Sequence, residues 1–351
     1  CAAGRNGRTR AAVRGRLDAP HRTDDPSARG PGQPTPSEAA VPRGANFDEG
    51  EELRPRVPDP ACAGAIVAML LQTLNGLVYG GLLYILAVGL VLIFGLRRVV
   101  NFAHGSLFMV GAYVGYAIAT HFGNFWLGLV VSVVVLAVLG VFLDAVVFRP
   151  LQREDPIVTV LVTFGILLVL EDAVRTIWGK DFLSLKPPAA LAGTVQILGE
   201  SFPTYRLFVI ALAAAVAIGL SLWLRMSRIG LFVRASSVDR TTTAILGVNT
   251  DRVSVLVVAA GTALAGLSGT VSAPLLALSP GRGSFILIDS FIVVVVGGLG
   301  SFSGAFFAAL IIGQLHNFGV VYLPWAATMI PFLLMVGILI WRPSGFAGQH
   351  V

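Results

Sequence analysis

The chain alternates between long apolar runs and short polar breaks over most of its length. Eight apolar stretches stand out, near residues 65–95, 101–120, 124–148, 157–178, 206–224, 252–278, 286–316 and 326–341. About 20 consecutive apolar residues cross the hydrocarbon core of a bilayer as an α-helix, so most of these stretches predict one span each. The stretches at 65–95 and 286–316 are too long for one upright span and contain glycine clusters. Each is either one tilted helix or a helix joined to a broken or re-entrant piece. Irregular backbone at membrane depth is tolerated only against protein or a water-filled cavity. The pattern predicts an all-α integral membrane protein with eight to ten transmembrane helices.

Residues 1–64 break this pattern. They hold ten of the 25 basic residues and nine of the 19 acidic ones, with frequent Pro and Gly. Apolar residues there are too sparse to offset the entropy of ordering, and the layout is not that of a signal peptide. The segment is either a disordered extension or spurious upstream sequence joined by an early start. Residues 65–351 form the transmembrane domain.

Composition agrees with the pattern. The chain is 55% hydrophobic and 13% charged, against roughly 45–50% and 25% in soluble proteins. Too few ionic side chains remain to cover a water-facing surface of this size. Forty glycines suit close approach of helices in lipid. The net charge of +6 does not indicate nucleic acid, because the basic residues of the body lie between apolar runs. Arg97, Arg98, Arg149, Arg153, Arg225, Arg228, Arg234, Arg240 and Arg252 fall in alternate loops, against Arg175, Lys180, Lys186, Arg206 and Arg282 in the others. The positive-inside rule makes the richer loops cytoplasmic. Arg342 puts the C-terminus inside too, so 286–316 has to cross twice or re-enter.

No catalytic chemistry emerges. The five histidines are scattered, and there is no HExxH, paired CxxC or nucleophile elbow. Cys1 and Cys62 make no disulfide framework. Neither a metal nor another cofactor is expected. Asp144, Glu171 and Asp172 fall near the ends of apolar stretches, which predicts interfacial placement. Asp289 follows Arg282 by one or two turns and is likewise expected near an interface. No pair of acids has the spacing of a buried proton relay, which argues against an ion-coupled carrier.

Three motifs stand out. The polar loop at 225–251 contains Arg228, Gly230, Arg234, Ala235, Asp239, Arg240, Ala244, Gly247, Val248 and Asn249. From Gly230 to Leu246 it predicts a short helix pair, with Gly247 as the stop. An ordinary basic loop has the same composition. Asn101-Phe102-Ala103-His104-Gly105 opens the second stretch. There Asn101 is placed to cap the incoming helix. Arg97 and Arg98 are expected to anchor that end at the headgroups. His104 is expected in the first turn, near the cytoplasmic interface, as a structural hydrogen-bonder. Gly297-Gly298-Leu299-Gly300-Ser301-Phe302-Ser303-Gly304 fails the phosphate-loop and dinucleotide spacings. Gly300 and Gly304 form a small-xxx-small pair suited to helix packing, while glycines here can equally break the helix.

Together, in this order, the motifs resemble those of branched-chain amino acid ABC-importer permeases. The resemblance covers about residues 68–348. The general importer signature opens with Glu-Ala-Ala, where this chain has Thr241-Thr242-Thr243 and keeps only the spacing to Gly247. The resemblance implies an ABC-importer permease fold in the bacterial plasma membrane, with 225–251 as the cytoplasmic coupling loop. It implies a second, related permease subunit, cytosolic ATP-binding cassette subunits that hydrolyse ATP, and an external or periplasmic solute-binding protein. This chain itself is then not an enzyme. Asn101, Phe102, His104, Gly105, Asp289, Gly297, Gly298, Gly300 and Gly304 become family-motif or pathway candidates. The group often carries Lys near Asp289, so that position bears on substrate choice. Urea or short-amide importers have similar permeases and remain an alternative, as does an ion-coupled amino acid carrier.

Overall fold

A computed structural model describes residues 60–342 and 344–346. The reading of residues 1–59 lies outside them. Eleven α-helices occur among the described residues: α1 (Pro60–Arg97), α2 (Ala103–Phe122), α3 (Phe125–Leu143), α4 (Pro156–Trp178), α5 (Thr204–Met226), α6 (Arg228–Val238), α7 (Arg240–Ile245), α8 (Thr250–Ser272), α9 (Arg282–Gly297), α10 (Phe302–Tyr322) and α11 (Ile330–Trp341). Six regions are helical, long and apolar enough to cross a membrane: Ile66–Arg97, Phe125–Phe148, α4, α5, α8 and α10. The all-α membrane reading holds. One departure is a hairpin between α4 and α5, pairing β1 (Thr194–Ile197) with β2 (Glu200–Pro203). Its two-residue turn, Leu198-Gly199, takes φ values of +52° and +91°, the twist that suits tight hairpins.

The two overlong apolar stretches resolve differently. The first is one unbroken helix, α1, most of whose apolar length is buried. The second divides into α9 and α10 at Gly298-Leu299-Gly300-Ser301. Gly298 and Gly300 adopt φ of +97° and +85°, which glycine reaches without a Cβ penalty. Ser301 Oγ then accepts the Gly304 amide at 3.1 Å and opens α10. Four helices, α8 to α11, thus follow the polar loop, of which α8 and α10 are long and apolar enough to cross a membrane. At about 1.5 Å per residue, α9 and α11 are shorter than the hydrocarbon core, with 16 and 12 residues.

Small residues set the packing. Helix α8 lies against α2 and α3. A Cβ added to Gly111 would come within 2.5 Å of Gly266 Cα, and one on Gly261 within 2.8 Å of the Gly89 carbonyl of α1. The α9–α10 hairpin closes the same way, but through Gly297 and Gly304. Gly300 sits in the turn, so the expected Gly300–Gly304 helix pair is corrected to Gly297–Gly304. The C-terminal Gly345 packs on Gly298, and the Phe346 amide donates to Val296 O at 2.9 Å. Polar side chains add stitches between α1 and α10: Gln314 Nε2 donates to Thr73 O at 2.9 Å, and Asn317 Nδ2 to Gln72 O at 2.7 Å.

At Gly297 a Cβ would stand 2.6 Å from the Ala305 nitrogen, a backbone atom that cannot swing away. Gly297→Val is expected to destabilise the protein by about 1–3 kcal/mol or more. Thermal unfolding in detergent checks this, with Gly219→Val, which meets nothing within 4 Å, as the tolerated control.

Candidate functional site

The arginine-rich loops converge at one end of the bundle. Arg97, the last residue of α1, is not a headgroup anchor. Its side chain is 8% exposed and pairs with Asp144, whose side chain is 1% exposed. It also donates to Ser254 Oγ of α8 at 2.7 Å and to Phe148 O at 2.8 Å. Residues Asp144–Phe148 form a π-helical turn that extends α3, and π-turns inside helices frequently mark functional sites. Asp144 thus lies near the end of α3, as expected, but buried against protein and paired with Arg97. A lone carboxylate inside a bundle is costly, and the neighbouring guanidinium offsets that cost. Glu171 is also buried, accepting from Ser284 Oγ at 2.6 Å. Asp172 is exposed.

Arg98 links this pair to the polar loop. Its guanidinium approaches the Ser237 and Val238 carbonyls at 3.4 and 3.3 Å, at the C-terminus of α6 where cations are favoured. The predicted helix pair is α6 and α7. Ser227 Oγ accepts the Gly230 amide at 2.8 Å and starts α6. Gly230 lies directly against α5, since a Cβ there would meet Trp223 O at 2.6 Å. Asp239 starts α7, accepting the Thr241 and Thr242 amides at 2.9 and 3.1 Å, as well as the Thr242 hydroxyl. The threonines that replace the general signature thus close the turn onto Asp239. Gly247, at φ +86°, ends α7. Asn249 Oδ1 accepts the Arg252 amide at 3.0 Å and caps α8. Arg240 bridges to Asp251 at 2.8 Å, tying α7 to the start of α8.

Val233 anchors this unit in a cluster with Leu92, Leu96, Leu224, Val253 and Val257. The opposite side stays open. Arg228, Arg234, Ala235 and Ala244 are exposed, and Val238, Ile245 and Leu246 are 76–80% exposed. Beside it lies a cavity of about 720 Å³, lined by Arg97, Arg98, Asn101, Gln152, Asp239 and Arg240 among others. Two of the three motifs thus share one cavity. The glycine motif is elsewhere, in the α9–α10 turn.

The Asn101 motif sits deeper than expected. Asn101 Oδ1 accepts the Ala103 amide at 3.1 Å, while the residue in the N-cap position is Phe102, whose own amide donates to Thr163 Oγ1 at 3.3 Å. His104 is in the first turn and structurally bonded, as anticipated, with Nε2 3.0 Å from Leu86 O. It is completely buried, and Leu86 lies eleven residues back along α1 from Arg97, about 16 Å. The interfacial placement of His104 is corrected. Gly105 lets α2 cross α9 at Gly283, where a Cβ on Gly283 would meet Gly105 O at 2.8 Å.

Asp289 is not interfacial either. It lies in the middle of α9 and accepts from the Tyr79 hydroxyl at 2.8 Å. His316 of α10 stacks on Tyr79, with ring centroids 4.5 Å apart. This grouping and the Arg97–Asp144–Ser254 grouping join residues far apart in sequence. The available signal was an unbalanced charge inside each apolar stretch.

These features define a multi-pass membrane permease with an ordered polar surface at one end. Residues 72–339 match the family model described as branched-chain amino acid transport system / permease component. The chain belongs to that family, and within it is a transport subunit rather than an enzyme. It is similar to the high-affinity branched-chain amino acid transport system permease protein BraD of Pseudomonas aeruginosa, with 28% identity over 80% of this chain and 96% of that protein. The corresponding LivH of Escherichia coli K12 is 26% identical, covering 80% of this chain and 96% of LivH. LivM of the same organism, also named a permease protein of the high-affinity branched-chain system, is 26% identical over 74% of this chain and 66% of its own length. No solved structure matches the chain significantly.

Two outcomes test this site. Removing one partner of a buried ion pair leaves an uncompensated charge, typically costing about 3–5 kcal/mol. Asp144→Ala is expected to fall in that range by thermal unfolding in detergent, and the double variant Arg97→Met/Asp144→Leu to recover much of it. The Thr242 hydroxyl, followed by the Thr242 amide, holds the Asp239 carboxyl below its ordinary value of 3.8, against desolvation and with help from the Thr241 amide. A lowered value means the cap is present above pH 3.8 and is lost as pH falls through the lowered value. Hydrogen-exchange protection of the Thr241 and Thr242 amides is expected to stay level above that pH and drop below it.

Proposed function

We propose that this chain is the membrane subunit of an ATP-driven importer that carries branched-chain amino acids across the bacterial plasma membrane. The chain moves the solute, and ATP is hydrolysed on cytosolic ATP-binding cassette subunits. The observation that carries the reading is the α6–α7 surface. It is braced to the bundle by Val233 and Arg98, yet leaves Val238, Ile245 and Leu246 open beside exposed Arg228 and Arg234. Exposed apolar side chains rimmed by charge are characteristic of a protein docking face. The loop at 225–251 is the cytoplasmic coupling loop in this reading. A rocking ATPase moves α6, and Arg98 and Arg97 pass the movement to α1, α3 and α8.

A second, different permease chain completes the pathway. LivH and LivM of Escherichia coli, both named permease proteins of the same kind of system, support that pairing. A periplasmic or external solute-binding protein delivers the amino acid. Specificity rests largely with that protein, because a permease pathway needs to hold its solute only weakly.

Uptake of valine, leucine and urea by the assembled importer in proteoliposomes tests the reading. ATP-dependent uptake of valine and leucine, without urea, is expected. ATP-independent uptake that collapses with an ion gradient would sink it. Leu246→Asp is expected to reduce uptake at least about tenfold, as loss of a central interface anchor does, while leaving the isolated permease as stable as the parent. Unchanged uptake would remove the docking role from this face.

A further inference from the structure

Two aspartates lie inside the bundle, and the fold treats them differently. Asp144 is fully buried and pairs with Arg97. Asp289 forms no ion pair among the described residues, and only its Oδ2 is bonded, to Tyr79. Tyr79, Asp289 and His316 are each only half-buried, so the group opens outward from α1, α9 and α10. A charge turned towards lipid at mid-membrane costs about 2.5–3.5 kcal/mol on insertion scales. The open side of Asp289 therefore meets water, solute or a polar partner.

Arg282 supplies the opposite charge. It stands seven residues before Asp289 on α9, two turns or roughly 10 Å along the same helix face. Its Nε is buried without a hydrogen-bond partner among the described residues. One helix face thus presents an anion and a cation in line, neither neutralised by an ion pair within the chain. The complement is a small zwitterion, with its ammonium on Asp289 and its carboxylate towards Arg282.

We propose that Asp289, oriented by Tyr79 and accompanied by Arg282, is the intramembrane station that holds the charged head group of an amino acid in transit. Tyr79 is a positioning residue: its hydroxyl fixes one carboxylate oxygen and leaves the other free for the solute ammonium. His316, stacked on the Tyr79 ring, holds that ring in place. The assignment rests on the importer reading above and names the contact by which the permease itself recognises an amino acid.

The test uses the complete importer in proteoliposomes, with internal ATP and saturating leucine-loaded binding protein, so that delivery does not limit the initial rate. Asp289→Asn is expected to lower leucine uptake at least about tenfold, equivalent to about 1.4 kcal/mol, while still copurifying with the second permease. Asp289→Glu is expected to restore part of the rate, and Arg282→Gln to lower it about as much as Asp289→Asn. Uptake by Asp289→Asn within twofold of the parent overturns the station. So does loss of copurification, which would assign Asp289 to pairing with a basic residue of the second subunit. Tyr79→Phe keeps the ring and removes only the hydroxyl. A several-fold loss of uptake with intact assembly supports the assignment even if Asp289→Asn fails to fold, and an unchanged rate overturns it. A parent importer that moves no amino acid with ATP overturns the importer reading itself. A parent that transports normally beside a normal Asp289→Asn overturns only the station.

Discussion

Helices in lipid gain little hydrophobic energy by leaving it for one another, so this bundle depends on how closely its backbones can approach. Nearly every crossing that organises the core is made where a side chain is missing. Gly89 meets Gly261 between α1 and α8, Gly111 meets Gly266 between α2 and α8, and Gly105 meets Gly283 between α2 and α9. Dispersion contacts are short-ranged, so close backbone approach turns four weakly attracted helices into a fixed frame. The same device seals the α9–α10 turn, where Gly297 faces Gly304 and Gly345 closes over Gly298.

Charges are then placed against that frame. The Arg97–Asp144 pair joins the ends of α1 and α3 with Ser254 of α8 at the point where the polar loop returns to the bundle. Adjacent Arg98 reaches the carbonyls that end α6. Two consecutive arginines therefore span from the α6–α7 surface to the transmembrane core. Burial makes the inner contact strong, while exposure leaves the outer one weak and free to rearrange. That gradient suits an element that must remain attached while its outer partner moves.

The polar loop derives its order from local chemistry more than from burial. Ser227, Asp239 and Asn249 start α6, α7 and α8 in succession, and Gly247 stops α7. Only Gly230, Val233, Ser236 and Thr243 are buried in α6 and α7. A short unit that is capped at every end but buried on one side is rigid in itself and shallowly seated, which fits a docking element better than a core one.

By itself the sequence determined the membrane class, nearly all the helices and the short pair at 225–251, because hydropathy over 20 residues and caps at fixed offsets are local properties. It also brought out Asn101, His104 and Gly247 in close to the local roles they hold. Only the tertiary structure decided whether a glycine-rich apolar run stays whole, as in α1, or breaks, as between α9 and α10. Glycine permits both, and the choice depends on what packs against it. Tertiary structure likewise decided the fate of the intramembrane charges. Asp144 lies 47 residues from Arg97, and Asp289 lies 210 residues from Tyr79. The energy of a buried carboxylate depends on the partner within a few ångströms, and no pattern along one helix reveals which distant helix supplies it.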